Sequence, residues 1–158
     1  MKKIDLGQTI AILANIGVIA GIAFLALEIR QNTDAVRSTV VQDISSQQID
    51  VRKMMIENPE LRAAVREGAR GEPDENQLQL IDEFFAVLMN VRQNRYLQIE
   101  LGVIDSRTAD ELGIGSREGG MFSRPQFSDW WSQNRSSYSE GFRQYVEANL
   151  LPADGQRE

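Results

Sequence analysis

An uncharged apolar run near the N-terminus constrains this chain more than any other feature. No charged residue occurs from Leu6 to Leu27. About twenty mostly apolar residues, at roughly 1.5 Å per residue in an α-helix, match the hydrocarbon thickness of a bilayer. A helix suits that environment because it satisfies its own backbone polar groups. We therefore predict that residues 1–29 form a short N-terminal tail and one transmembrane helix.

Two other interpretations of the run agree less well with its residues. A cleaved signal peptide would also begin with a basic segment such as Lys2-Lys3, but Asp5 interrupts that segment. The run also exceeds the roughly 7–15 apolar residues of a signal peptide, and residues 23–26 lack a small-x-small cleavage site. A buried helix of a soluble protein would show a polar stripe, whereas Asn15 is the only polar side chain between Ile10 and Leu27.

Small residues recur along one side of the predicted span. Gly17 and Gly21 lie four residues apart, the spacing of closely packed right-handed helix dimers, and Asn15 can form a hydrogen bond across such an interface. We expect self-association or a partner helix at this packing face, although glycine and alanine are frequent in spans generally. The packing face consists of Gly7, Ala11, Ala14, Asn15, Gly17 and Gly21.

The composition disfavours several classes of function. The chain has no histidine and no cysteine, which removes the commonest general base, the commonest metal ligands and thiolate nucleophiles. With 17 basic and 23 acidic residues, its net charge of −6 is unfavourable for binding a phosphate backbone. We expect no cofactor, no metal site and no nucleic-acid partner.

The residues after the span predict a second region, a helical domain over 30–152, followed by a disordered tail over 153–158. No proline or glycine occurs between Gly21 and Pro59, so the membrane helix can continue directly into the domain. The cap-forming residues Asn32-Thr33-Asp34 offer an alternative break. Asn58 and Pro59 predict a stop and restart, since asparagine is a good N-cap and proline suits the first helical position.

The remaining helix signals are spaced along the domain. The second helix should end at Gly68 or Gly71, and Asp74 with Gln77 predicts a capping box for an apolar core helix that reaches Leu101. The later signals predict closure of that helix at Gly102, a short helix capped by Asp105 and running to Leu112, a loop or frayed helix over 113–120, and two last helices starting at Pro125 and Ser139. We therefore expect an all-α fold, with one transmembrane helix continuing into a small bundle of about five helices.

Two groups of residues in the domain are candidates for function. Glu83, Arg92, Arg95 and Glu100 on the core helix can form a polar network, in which Arg92 lies on the apolar row and pairs with a carboxylate at the core edge. The aromatic residues Phe127, Trp130 and Trp131 suit either core packing or contact with a partner or the membrane.

Several short motifs are distributed along the chain. They are residues 27–33 with Ala35 and Arg37, residues 58–61, residues 96–102 with Asp105, Trp130-Trp131 with Arg135, and Phe142-Arg143 with Val146. With these motifs the whole chain resembles a large family of uncharacterised bacterial single-span membrane proteins. It implies a single-pass membrane protein without established activity, cofactor or substrate, whose C-terminal domain is cytoplasmic. Charge alone leaves the orientation nearly balanced, because Lys2 and Lys3 precede the span and Arg30 and Arg37 follow it.

Two functions remain as hypotheses. The first is a non-enzymatic, membrane-anchored helical module that forms homo-oligomers or joins a membrane complex, in a bacterial inner membrane. The second is a small membrane-anchored hydrolase or ligand-binding domain that uses carboxylate and arginine groups such as Glu83, Glu100, Arg92 and Arg95. The second requires a pocket that brings these groups together and shifts a pKa.

Overall fold

A computed structural model describes residues 6–71, 73–111 and 120–151, and these residues form an all-α structure. The prediction of an all-α fold is confirmed. Most of the segment 113–120 and the tail 153–158, for which we predicted a loop or frayed helix and disorder, lie outside the described residues. The α-helices are α1 (Leu6–Glu57), α2 (Pro59–Arg70), α3 (Glu75–Glu100), α4 (Ser106–Glu111), α5 (Pro125–Asn134) and α6 (Glu140–Asn149), with 3₁₀ turns at Met121–Ser123 and Arg135–Ser137.

The first helix, α1, is continuous over 52 residues. It passes through Asn32-Thr33-Asp34 without the alternative break. The hydroxyl of Thr33 donates a hydrogen bond to the carbonyl of Ile29 at 2.9 Å, so it bonds within the existing helix and does not cap a new one.

The chain divides into two compact units, one up to Val40 and one from Val41 onward. In the first unit, every described side chain from Gly7 to Thr39 is exposed. In the second unit, Ile44 is the first fully buried residue. The division therefore falls later than the sequence boundary at residue 29, because the polar segment 30–39 contributes nothing to the domain core.

The ends of α2 follow the predicted local signals. The side-chain oxygen of Asn58 accepts a hydrogen bond from the backbone N–H of Leu61 at 3.0 Å, and Gly71 ends the helix in the left-handed conformation with φ of 81°. Gly68, the other candidate for this end, lies inside the helix. A Cβ atom there would lie 2.8 Å from Cδ1 of Ile81, so Gly68 permits close packing of α2 on α3.

The ends of α3, α4 and α6 also carry the expected residues. Asp74 and Gln77 form the predicted capping box at the start of α3. Gly102 follows α3 with φ of 68°, and the carboxylate of Asp105 accepts a hydrogen bond from the backbone N–H of Thr108 at 2.9 Å in α4. Ser139 occupies the N-cap of α6 but makes no side-chain capping hydrogen bond.

The core of the second unit forms where α2, α3, α5 and α6 meet the C-terminal part of α1. Aromatic rings fill most of it. The Phe127 ring lies at its centre, with its centroid 5.2 Å from that of Phe85 and 4.9 Å from that of Phe122, both in edge-to-face contact. The largest fully buried side chains are Trp131, Phe85, Phe127, Phe142, Ile44, Met89, Leu150 and Val146.

We expect Phe127→Ala to lower the free energy of unfolding by about 3–5 kcal/mol, because it leaves a cavity among aromatic rings. Urea unfolding of the full chain in mild detergent, followed by the fluorescence of Trp130 and Trp131, measures the change. Leu101→Ala is the control, since Leu101 is 72% exposed and should change the stability by less than about 0.5 kcal/mol. Equal effects of the two substitutions would contradict the core described above.

Candidate functional site

The apolar part of α1 is the most distinctive surface that the structure describes. Within the described residues, α1 is the one helix that is long and apolar enough to cross a membrane. None of the residues in its most apolar segment is buried. Its large apolar side chains are exposed on every side of the helix. They are Ile10, Ile12, Leu13, Ile16, Val18, Ile19, Ile22, Phe24, Leu25, Leu27 and Ile29.

The predicted packing face lies on this surface. Ala11, Ala14 and Asn15 are exposed, and apart from the backbone of the helix itself nothing lies within 4 Å of a Cβ placed on Gly17 or Gly21. Gly7, at the start of the face, is also exposed. The glycines therefore leave two adjacent positions where another helix backbone could approach closely.

The aromatic residues of α5 lie in the core. Phe127, Trp130 and Trp131 are 0%, 6% and 2% exposed. Of the two interpretations left open by the sequence, the structure favours core packing, because the three side chains face α3 and α6 within the domain. They are not accessible for contact with a partner or a membrane in this conformation.

The structure does not bring together the four polar residues of α3. Glu83 and Glu100 are exposed, whereas Arg92 and Arg95 are buried. Nine residues along a helix correspond to a rotation of about 180°, so Glu83 and Arg92 lie on opposite sides of α3. Glu83 and Glu100 are separated by about 25 Å along the helix axis. The carboxylates and arginines therefore form no common cleft.

Both arginines of this group are buried within the domain. Arg92 is 6% exposed and Arg95 is 5% exposed. The guanidinium carbon of Arg92 lies 4.6 Å from the centroid of the Phe122 ring, which is a cation–π contact. The sequence predicted a carboxylate at the core edge as the partner of Arg92. The contact of Arg92 with Phe122, which follows much later in the chain, was not predicted.

Glu100 instead acts on Tyr96, one turn before it on α3. Burial, together with the charge of the Glu100 carboxylate and its hydrogen bond to the phenol, raises the pKa of Tyr96 above its ordinary value of 10.0. The phenol oxygen also lies against α6, where it would be 2.7 Å from a Cβ on Gly141. A glycine at position 141 therefore allows α6 to approach the hydroxyl of Tyr96.

A shallow pocket that the sequence did not indicate lies between α1, α2 and α3. It has a volume of about 190 Å³. Its walls are mostly apolar, and Glu83 and Asn58 supply its polar groups. The lining residues are Met54, Asn58, Leu61, Leu80, Glu83, Phe84 and Val87. Three consecutive helices form this pocket, and its shape depends on how they pack, so residue spacing alone could not reveal it.

The described residues show no group of three or more acidic side chains placed to hold a metal ion. Comparisons with protein-family models, with curated proteins and with solved structures find no significant match to this chain.

We expect Glu100→Gln to lower the pKa of Tyr96, because it removes a negative charge that opposes ionisation of the phenol. The pKa of Tyr96 is higher in the folded state than in the unfolded state. Its contribution to stability is therefore fully present below pH 10, and it is lost as the pH rises through the folded-state pKa. Ultraviolet absorbance of the tyrosinates during alkaline titration measures the shift, and Tyr96→Phe identifies the transition. Glu83→Gln, on another side of α3, should leave that transition unchanged. An unshifted transition in Glu100→Gln would contradict the coupling.

Proposed function

We propose that this chain is a non-enzymatic, membrane-anchored module that associates with itself through its N-terminal helix. One observation carries the proposal: the apolar surface of residues 7–29 is exposed on all sides. Such a surface needs lipid or another protein to cover it, because exposed apolar area costs about 25 cal/mol per Å² in water. The length of the apolar run matches a bilayer.

Self-association is supported by the packing face within that surface. Helices in a membrane gain little from the hydrophobic effect when they pair, so they depend on close backbone approach and on interhelical hydrogen bonds. The open positions at Gly17 and Gly21 permit the first, and the exposed amide of Asn15 is available for the second. A membrane complex that supplies a different helix is the related possibility, since it would use the same face.

We further propose a bacterial inner membrane as the location, with the domain after the span in the cytoplasm. The resemblance to bacterial single-span proteins supports this location, and Arg30 and Arg37 directly after the apolar run agree with a cytoplasmic side. A role as a hydrolase has less support, because Glu83 and Glu100 do not meet Arg92 and Arg95 in a cleft.

We expect Gly17→Leu with Gly21→Leu to weaken self-association in mild detergent by about tenfold or more, which corresponds to about 1.4 kcal/mol or more. Leucine side chains at both positions would hold the two backbones apart. Sedimentation of the full chain over a range of protein-to-detergent ratios measures the effect.

The matched control is Ala23→Leu with Ala26→Leu, which adds similar bulk on the side of the helix opposite Gly17 and Gly21. An unchanged assembly in the glycine variant would show that this face is not the interface. Co-purification of one stoichiometric foreign subunit, detected by native mass spectrometry, would replace self-association by membership of a complex.

The orientation can be tested because the chain contains no cysteine. We expect a single cysteine at the exposed position Ser136 to react with a membrane-impermeant maleimide only after the inner membrane is permeabilised. The same cysteine in detergent extract controls for reactivity. Labelling in intact spheroplasts would contradict a cytoplasmic domain.

A further inference from the structure

The pocket between α1, α2 and α3 combines one charged group with apolar walls. Of its lining residues, Glu83 is the one that carries a charge. Asn58 is also polar, but its side-chain oxygen already accepts the hydrogen bond from the backbone N–H of Leu61. The carboxylate of Glu83 therefore decides which charge a ligand of this pocket would carry. The remaining lining residues are apolar, namely Met54, Leu61, Leu80, Phe84 and Val87.

The carboxylate of Glu83 is available to a ligand. No described side chain forms an ion pair or a hydrogen bond with it, and the residue is exposed. Leu80 precedes Glu83 by three residues and Val87 follows it by four, so the three side chains lie in one row on α3. The pocket thus places a water-accessible carboxylate directly beside an apolar wall.

The volume of the pocket limits its ligand to a small molecule. A cavity of about 150 Å³ lined by leucine, isoleucine and phenylalanine side chains accommodates benzene. A volume of about 190 Å³ therefore accommodates one six-membered ring with a short arm, or an alkyl chain of similar size. A drug-sized ligand, which requires about 300–1,000 Å³, would not fit.

The chemistry of the walls favours an organic cation. A metal ion is unsuitable, because Ca²⁺ or Mg²⁺ requires about six oxygen ligands and the described residues contain no group of three or more acidic side chains that could hold one. A protonated primary amine has three N–H donors, and its hydrogen bond to a carboxylate is stronger than a bond between neutral groups. An apolar body attached to the amine gains free energy when the walls remove it from water.

We propose that this pocket binds a small organic cation in which a short alkyl arm joins a primary ammonium group to one apolar ring or chain. The ammonium group binds the carboxylate of Glu83, and the apolar body packs against Met54, Leu80 and Phe84. This gives the helical domain a ligand-binding role beyond the membrane association proposed above. The inference does not rest on self-association, because every lining residue belongs to the second unit.

The test uses the full chain in an uncharged detergent at neutral pH, with phenethylamine as the probe. The five methionines are isotope-labelled at their methyl groups for nuclear magnetic resonance, and the signal that is lost in Met54→Leu identifies Met54. We expect this signal to shift saturably with phenethylamine, with a dissociation constant of about 1 mM or lower. The signal of Met89 should not shift, because Met89 is fully buried and does not line the pocket.

Two comparisons test the role of the charge. Glu83→Gln keeps the size of the side chain and should weaken phenethylamine binding by about three- to tenfold, a modest factor because the ion pair is exposed. Phenethyl alcohol, which has the same size without the charge, should bind the parent chain more weakly by a similar factor. Asp82→Asn is the matched control, since Asp82 lies about 160° around α3 from Leu80 and Phe84 and should leave binding unchanged.

A further variant tests the location of the ligand. Val87→Phe adds bulk at the wall of the pocket and leaves Glu83 in place, so it should abolish the saturable shift of Met54. Far-ultraviolet circular dichroism of each variant shows that its helices are intact.

Three outcomes would overturn the proposed site. They are no saturable shift of Met54, equal affinity of the parent chain and Glu83→Gln for phenethylamine, and unchanged binding in Val87→Phe. Self-association through the span is measured separately, in the variant with Gly17→Leu and Gly21→Leu, so a failure of the ligand site leaves that proposal standing.

Discussion

The uncovered apolar surface of α1 is the constraint on which the functional argument depends. An ordinary surface helix has a polar side that faces water and an apolar side that faces a core. Between residues 7 and 29, α1 has apolar side chains all round and no cover from the described part of the chain. The membrane insertion and self-association that we propose would cover that surface.

The domain depends on a different interaction, the packing of aromatic rings against α3. Phe85 in the middle of α3 contacts Phe127 and Trp130 of α5, while Tyr96 near the C-terminal end of α3 contacts Phe142 of α6. Different parts of α3 thus pack against the two last helices. Hydrogen bonds add to this arrangement, since Arg124 and Gln126 at the start of α5 donate to the carbonyls of Val65 and Gly68 in α2.

The local features of the fold were predictable from the sequence. Asn58, Asp74 and Asp105 act as helix caps because a side-chain oxygen next to free backbone N–H groups favours a helix start wherever it occurs. Gly71 ends α2 because glycine adopts positive φ at little cost. Local sequence did not distinguish Gly68 from Gly71 as the end of α2. Position 68 requires glycine because the side chain of Ile81 on a different helix packs closely against it.

The tertiary features were not predictable in the same way. Helical spacing places Phe127 and Trp131 on one side of α5, but spacing does not tell whether that side meets a core or a partner. The contact of Arg92 with Phe122 joins two separate segments of the chain, and the pocket beside Glu83 forms only where three helices pack together. Such sites depend on how the helices pack, and residue spacing within one sequence does not predict that packing.

The turn at Gly71 has a consequence for how the domain is made. Because α2 and α3 follow each other directly and pack together, their contacts are local in sequence, and local contacts form rapidly during folding. Phe85 contacts Phe127 and Trp130 of α5, so its ring is fully covered only when α5 has packed against this pair. A helical pair that forms before α5 docks therefore exposes apolar surface of α3 in addition to that of the first helix.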